Sequence, residues 1–218
     1  MFTLYRAPRI LTWIYPELIW HINTPRKEVY LTFDDGPVPG PTEYVLSQLA
    51  NFDAQATFFC IGDNVRKHPS LFKKVVEAGH MIGNHTFNHL SGWKTSSEKY
   101  LSNIRQCQQE FDLNLPSGGL EPPLSGYPRL FRPPYGRIKR RQIRQIKDYK
   151  IVMWDVLTHD YAQSLHHDDC LKGSIKATRS GSIVVFHDSL KAEKNLTYAL
   201  PRFLEHFSKK GYVFKSLS

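Results

Sequence analysis

The chain reads as an α/β protein with parallel strands, a barrel of seven β/α units. Three observations predict this. Short β-branched and aromatic runs alternate with helical stripes from Glu28 onward, seven such runs can be counted, and polar clusters fall at the C-terminal ends of five of them. With 218 residues, 41% of them hydrophobic and 13% aromatic, the chain is able to bury one sizeable core.

Taken in order, the first 26 residues hold Ile10, Leu11, Trp13, Ile14, Tyr15, Leu18, Ile19 and Trp20, but Pro16 and Glu17 interrupt the run. A signal peptide needs an unbroken apolar stretch of roughly 7 to 15 residues and a membrane span about 20. Segment 1–27 is therefore expected to pack on the barrel, with an interfacial anchor using Arg6 and Arg9 as the alternative. Residues 28–218 then form one domain, in a protein that is cytoplasmic or peripheral at the inner membrane surface. The seven strands are Val29–Phe33, Ala56–Ile61, His80–Gly83, Arg129–Arg132, Ile151–Val156, Ser182–His187 and Tyr212–Lys215. Helices between them have readable ends. Thr42 precedes Val45, Leu46 and Leu49; Pro69 and Ser70 precede Leu71, Phe72, Val75 and Val76, closed by Gly79; the last starts near Thr197 and is closed by Gly211. Leu115–Pro128, rich in proline and glycine, reads as a long loop near the rim.

The formal net charge of +9 and pI near 9.4 favour a polyanionic neighbour. Much of the charge lies in Arg137–Lys147, expected to be a helix with Ile143 and Ile146 inward and a solvated cationic face. It has no aromatic base readers among its cations, which argues against nucleic acid and leaves an anionic membrane surface as the candidate peripheral contact. Nothing in the chain fixes an oligomeric state. Cys60, Cys107 and Cys170 are odd in number and far apart, so they make neither a disulfide framework nor a metal knuckle; Cys60 and Cys107 read as small core residues.

Thr32-Phe33-Asp34-Asp35-Gly36-Pro37 and His85-Thr86-Phe87-Asn88-His89 look like a metal site with a spare carboxylate. Two imidazoles at i and i+4 share one face of a helical turn, a carboxylate makes a third ligand, and an open position remains for water. A divalent ion lowers the pKa of that water to about 7, and the second carboxylate can take the proton. Zinc suits imidazole and carboxylate best, with cobalt or another divalent ion as the alternative.

The order Thr-Phe-Asp-Asp-Gly-Pro, His-Thr-x-x-His, Arg132-Pro133-Pro134-Tyr135-Gly136, Trp154-Asp155 followed by Asp160, and Ile183-Val184-Val185-Phe186-His187-Asp188 resembles the polysaccharide deacetylases of carbohydrate esterase family 4, the NodB-homology group. The likeness runs from Val29 to Phe214. It implies a deformed (β/α)7 barrel and a single catalytic domain. It also implies roles: Asp34 as general base, Asp35, His85 and His89 as metal ligands, and Arg132 pairing with Asp34. Pro134 and Tyr135 would shape the groove, the Tyr135 N–H would help bind the oxyanion, and Val185 would line the acetyl-methyl pocket. His187 would be the general acid, held by Asp160, with Tyr161 toward the sugar. Amide hydrolysis calls for the same parts on chemical grounds: a nucleophile made at neutral pH, a counter-charge and an acid for a poor leaving group. Leu157 stands where many relatives carry a carboxylate, and Tyr161 where tryptophan is usual.

The expected activity is metal-dependent removal of N-acetyl groups from N-acetylglucosamine-type sugars of a cell-wall or surface polysaccharide or its precursor. The alternatives are hydrolysis of another C–N bond, such as deformylation, or a non-catalytic carbohydrate-binding module. His21, His68, His159, His166, His167 and His206 read as structural, and Asp155 and Asp188 as either orienting groups or strand-end caps.

Overall fold

The computed structural model describes residues 4–115 and 129–217. Its strands are β1 (Glu28–Asp34), β2 (Thr57–Cys60), β3 (Met81–Asn84), β4 (Arg129–Phe131), β5 (Tyr149–Ile151), β6 (Val156–Leu157), β7 (Ile183–His187) and β8 (Val213–Lys215). They make one parallel sheet in the order β5-β4-β3-β2-β1-β7-β6, with β8 on β1. Among the described residues no ladder joins β5 to β6, so the barrel is a curled, open sheet. The rest of segment 116–128 falls outside the described residues, and with it most of the loop expected over Leu115–Pro128.

The sheet is buried on both faces, as parallel sheets are. Phe33 of β1 stacks on Phe58 of β2 at 5.1 Å between ring centroids and on Phe186 of β7 at 6.0 Å. Each such ring contributes about 1.5–3 kcal/mol through burial. Around the sheet lie α1 (Arg9–Ile14), α2 (Pro41–Asn51), α3 (Gly62–Lys67), α4 (Pro69–Glu77), α5 (Ser97–Asn114), α6 (Arg140–Ile143), α7 (His167–Ala177) and α8 (Glu193–Lys209). Ser96 caps α5 by accepting the Lys99 N–H at 3.4 Å. The α8 helix buries Phe203, Leu204 and Phe207, and Gly211 turns the chain out at φ 76°, a left-handed value that favours glycine. All three cysteines are free and buried. No helix among the described residues is long and apolar enough to cross a membrane.

Two expected elements come out differently. The strand expected over Ile151–Val156 is broken into β5 and β6. The Val152 and Met153 carbonyls between them accept the Arg132 guanidinium at 3.3 and 2.9 Å, so they are turned to an arginine rather than to a ladder. The helix expected over Arg137–Lys147 shrinks to α6. Buried Gln142 donates to the Gly92 carbonyl and accepts the Lys139 N–H, which pins the segment to a loop. Three of its cations are engaged: Arg137 lies over the Trp93 ring, Lys139 donates to the Thr95 carbonyl, and Arg140 lies over Tyr15.

The N-terminal segment follows the gap in the barrel. Ile19 bridges to Val152, donating to the Ile151 carbonyl at 2.9 Å and accepting from Met153 at 2.7 Å. Arg6 pairs with Val156 and His21 with Ser182, while Leu18 and Trp20 are buried.

Candidate active site

The cleft at the C-terminal end of the sheet has a volume of about 500 Å³ and is lined by Asp34, Asp35, His85, His89, Val185 and His187, among others. Asp34 ends β1, and its Oδ1 accepts Arg132 Nη1 at 2.6 Å. Arg132 is wholly buried, lies over the Phe59 ring at 4.1 Å, and also donates to Thr32 Oγ1 at 2.7 Å. A buried guanidinium with that many acceptors is a fixed counter-charge for Asp34.

Asp35 follows with φ 83°, which swings its carboxylate toward the two histidines. Its Oδ1 lies 3.2 Å from His89 Nε2 and 3.7 Å from His85 Nε2, yet it is buried without a hydrogen bond. The ligand atoms of Asp35, His85 and His89 lie within 4.8 Å of one another. His85 Nδ1 donates to the Arg132 carbonyl at 2.8 Å, which leaves its Nε2 with a lone pair facing Asp35. His89 Nδ1 bonds the Tyr135 hydroxyl at 3.1 Å. An unspent carboxylate oxygen opposite imidazole nitrogens suits a divalent ion. Burial would raise the Asp35 carboxyl, but His89, His187 and His85 hold it well below the usual range. Burial takes His85 down to about 4 against the pull of Asp34, so it is a neutral imidazole at working pH.

His85 and His89 do not share a helical turn. They sit in the loop after β3, with Thr86 at φ 63° and His89 at φ 54°. Such values in non-glycine residues cost energy and persist only where neighbours impose them. The neighbours here are asparagines. Asn84 Oδ1 accepts the Thr86 N–H, and Asn103 Oδ1, from α5, accepts the N–H groups of Phe87 and Asn88, each bond at 2.9 Å.

Across the cleft, buried Asp160 grips His187 twice. Its Oδ1 takes the ring Nδ1–H and its Oδ2 the backbone N–H, both at 2.7 Å. Burial alone would lower the imidazole, but the Asp160 charge and hydrogen bond carry it up to about 9, helped by Asp35 and Asp34. Tyr161 lies edge-on to His187 at 4.9 Å, beneath Lys191. Tyr135 is exposed at the rim, also with positive φ, and Leu157 lines the cleft. Pro133 rather than Pro134 lines the cavity, Pro134 being the first residue of a short 3-10 turn.

Asp188 and Asp155 are supports at different distances from this chemistry. Asp188 accepts the Gly36 N–H at 3.0 Å and the Thr42 hydroxyl at 2.6 Å, anchoring the Asp34-Asp35 turn. A Cβ on Gly36 would come within 1.9 Å of the Asp188 carboxylate, so only glycine fits. Asp155 accepts the Ser182 hydroxyl at 2.6 Å and does not line the cleft. A second trio, His166, His167 and Asp168, also brings ligand atoms within 4.8 Å. Its groups have partners already: Tyr198 donates to Asp168 and His166 Nδ1 accepts the Asp168 N–H. Asn103, Asn84 and Thr32 escaped the sequence reading. Thr32 opens the Asp34-Asp35 motif without a role of its own, and Asn103 leaves a trace as a polar residue in the buried stripe of Tyr100, Ile104, Cys107 and Phe111.

Comparison with known proteins identifies relatives. The polysaccharide deacetylase family model matches residues 21–154. A peptidoglycan-N-acetylglucosamine deacetylase of Bacillus cereus is 34% identical over 203 residues, covering 91% of this chain and 90% of its own. The Listeria monocytogenes deacetylase PgdA is 31% identical over 88% of this chain and 38% of its own. Among solved structures, the Bc1960 peptidoglycan N-acetylglucosamine deacetylase superposes with a TM-score of 0.84 at 27% identity, covering 97% of this chain and 95% of the other. A family 4 carbohydrate esterase from Streptomyces lividans, in complex with acetate, gives 0.74 at 28%, covering 88% and 93%.

Proposed function

The chain belongs to the polysaccharide deacetylase family, and from that premise we propose that it removes N-acetyl groups from N-acetylglucosamine-type sugars of a cell-wall or surface polysaccharide or its precursor. The observation that carries the reading is the arrangement of one cleft: an arginine-paired carboxylate, an Asp-His-His trio with an unpartnered oxygen, and a carboxylate-held imidazole. A binding module has no use for all three.

Asp35, His85 and His89 would hold a divalent ion, zinc before cobalt, whose Lewis acidity supplies a nucleophile at neutral pH and a counter-charge for the oxyanion. Asp34, paired with Arg132, receives the proton of the attacking water. The Tyr135 backbone N–H donates to the developing oxyanion, and Val185 lines the place of the acetyl methyl group. His187, protonated through Asp160, gives its proton to the departing amine from Nε2. Tyr161 supports the sugar. The formal net charge of +9 supports peripheral contact with an anionic membrane surface.

Acetate release from N-acetylated oligosaccharides, with zinc and cobalt supplied in turn, tests the activity. Asp34→Asn should keep its metal and lose about 10² to 10⁴ in rate, the usual contribution of a positioned base. Loss of metal from that variant would exchange the roles of Asp34 and Asp35.

A further inference from the structure

Beside the catalytic cleft lies a second cavity of about 280 Å³, between the N-terminal segment and the sheet. Its walls are mainly apolar, with Ala7, Leu11, Leu18, Trp20, Ile138 and Met153, and Arg6 is the one charged residue among them. Tyr135 and Trp154 line both spaces, so the cavity opens where the catalytic cleft ends. At its mouth Leu4 and Trp93 are 63% and 59% exposed, and α1 nearby leaves Trp13 82% exposed. Large apolar groups left out of a core at a cavity mouth mark a place for an apolar partner. Between the two spaces stands Arg137, which lines the cleft and lies over the rings of Trp93 and Tyr135 at 5.5 and 5.9 Å.

We infer that the substrate is an amphiphile, an N-acetylated sugar joined through a phosphate to a hydrocarbon chain. The sugar occupies the catalytic cleft, the phosphate meets the Arg137 guanidinium and the chain enters the apolar cavity. The order of chemistries along the wall, trio then cation then hydrocarbon lining, matches the order of parts in such a molecule. A guanidinium is the side chain best shaped for phosphate oxygens. This inference rests on the deacetylase reading and narrows its substrate.

The test uses the zinc-loaded full chain and three substrates: N,N′-diacetylchitobiose, its methyl phosphodiester and its decyl phosphodiester, the last below its micellar concentration. Acetate release should show kcat/KM for the decyl compound above that for the methyl compound by on the order of 10²-fold, the effect of roughly three or four seated methylenes at about fourfold each. Leu11→Trp and Ala7→Phe, which fill the cavity, should each abolish that ratio while leaving chitobiose turnover unchanged, and that unchanged turnover reports correct folding. Arg137→Gln should lower the ratio of methyl phosphodiester to chitobiose about tenfold, the loss of a charged hydrogen bond. Binding of decyl phosphate alone, followed by tryptophan fluorescence, should weaken in both filled variants. Equal rates for decyl and methyl compounds, or a decyl preference that survives both filling variants, would overturn the inference while the deacetylase reading stands. Silence on all three substrates would overturn the deacetylase reading itself.

Discussion

His85 and His187 face one cleft from opposite walls, and both are largely buried, yet one is held at about 4 and the other at about 9. Burial lowers both. What separates them is whether a carboxylate comes within hydrogen-bonding distance, since the nearest to His85 Nε2 is Asp35 Oδ1 at 3.7 Å. Asp34 has given Oδ1 to Arg132, and its Oδ2 stays 3.9 Å from His85 Nε2, while the other His85 nitrogen faces only a carbonyl. Asp160 has no competing cation among the described residues and turns both oxygens to His187 at 2.7 Å, Oδ1 also accepting the Tyr161 N–H. A buried imidazole thus stays neutral or stores a proton according to whether a carboxylate reaches it within hydrogen-bonding distance.

The sharpest way to break the comparison is to delete each imidazole. His85→Ala should lose the bound divalent ion, measured by elemental analysis, and drop activity to background, since several kcal/mol of transition-state stabilisation leave with the ion. His187→Ala should keep the metal and lose about 10² to 10⁴ in rate. Equal metal content in the His85 variant and the parent protein would remove His85 from the ligand set.

The next test exchanges the carboxylate's charge for an amide. With His187 raised, its proton is present below about pH 9 and lost above it, so the basic limb of the pH–rate profile should lie near there. Asp160→Asn removes the charge that holds the proton and should move that limb toward lower pH. The same pair stabilises the fold below the unfolded-state pKa of histidine, and that stability fades as pH rises through about 9, so thermal unfolding of the parent and the variant should converge at high pH. A basic limb that stays in place would mean that Asp160 does not tune His187.

Smaller effects come from the supports. Asn103→Ala takes the acceptor from the Asn88 N–H and leaves the Phe87 N–H only the backbone carbonyl of position 103 at 3.2 Å, and should weaken metal affinity about 10- to 100-fold, measured by competition with a chelator. Thr32→Val removes a hydroxyl that accepts from Arg132 and donates to the Val184 carbonyl. It should cost about 1–3 kcal/mol in denaturant unfolding while leaving metal content intact.

The two walls were not equally legible in the sequence. Aspartates, histidines, arginine and the His187 strand were readable because each stands at the end of a β-branched run, and parallel strands bring such ends together. The strand limits differ from expectation mainly by a residue or two at the ends. The broken strand was not readable, because its cause, an arginine at position 132 claiming carbonyls at 152 and 153, is a contact without a local signature. The same holds for the His85–His89 loop. Spacing of four residues suggested a helix, but bonds from Asn84 and Asn103 impose left-handed backbone at Thr86 and His89 instead. Side-chain bonds to distant backbone overrule local periodicity wherever a site needs a shape that regular structure does not offer.

The open side of the barrel has a consequence for how copies of the chain meet. An incomplete ring has two borders whose amides and carbonyls would pair with any extended strand offered to them. Here Ile19 occupies the border after β5, and Tyr5 to Ala7 the border at β6, through Leu157 to Tyr5 and Ala7 to Asp155, both bonds at 2.9 Å. The N-terminal segment is in this respect a built-in guard against self-association. A chain that lost it would expose two adhesive borders, and its first failing would be the formation of aggregates between otherwise folded molecules.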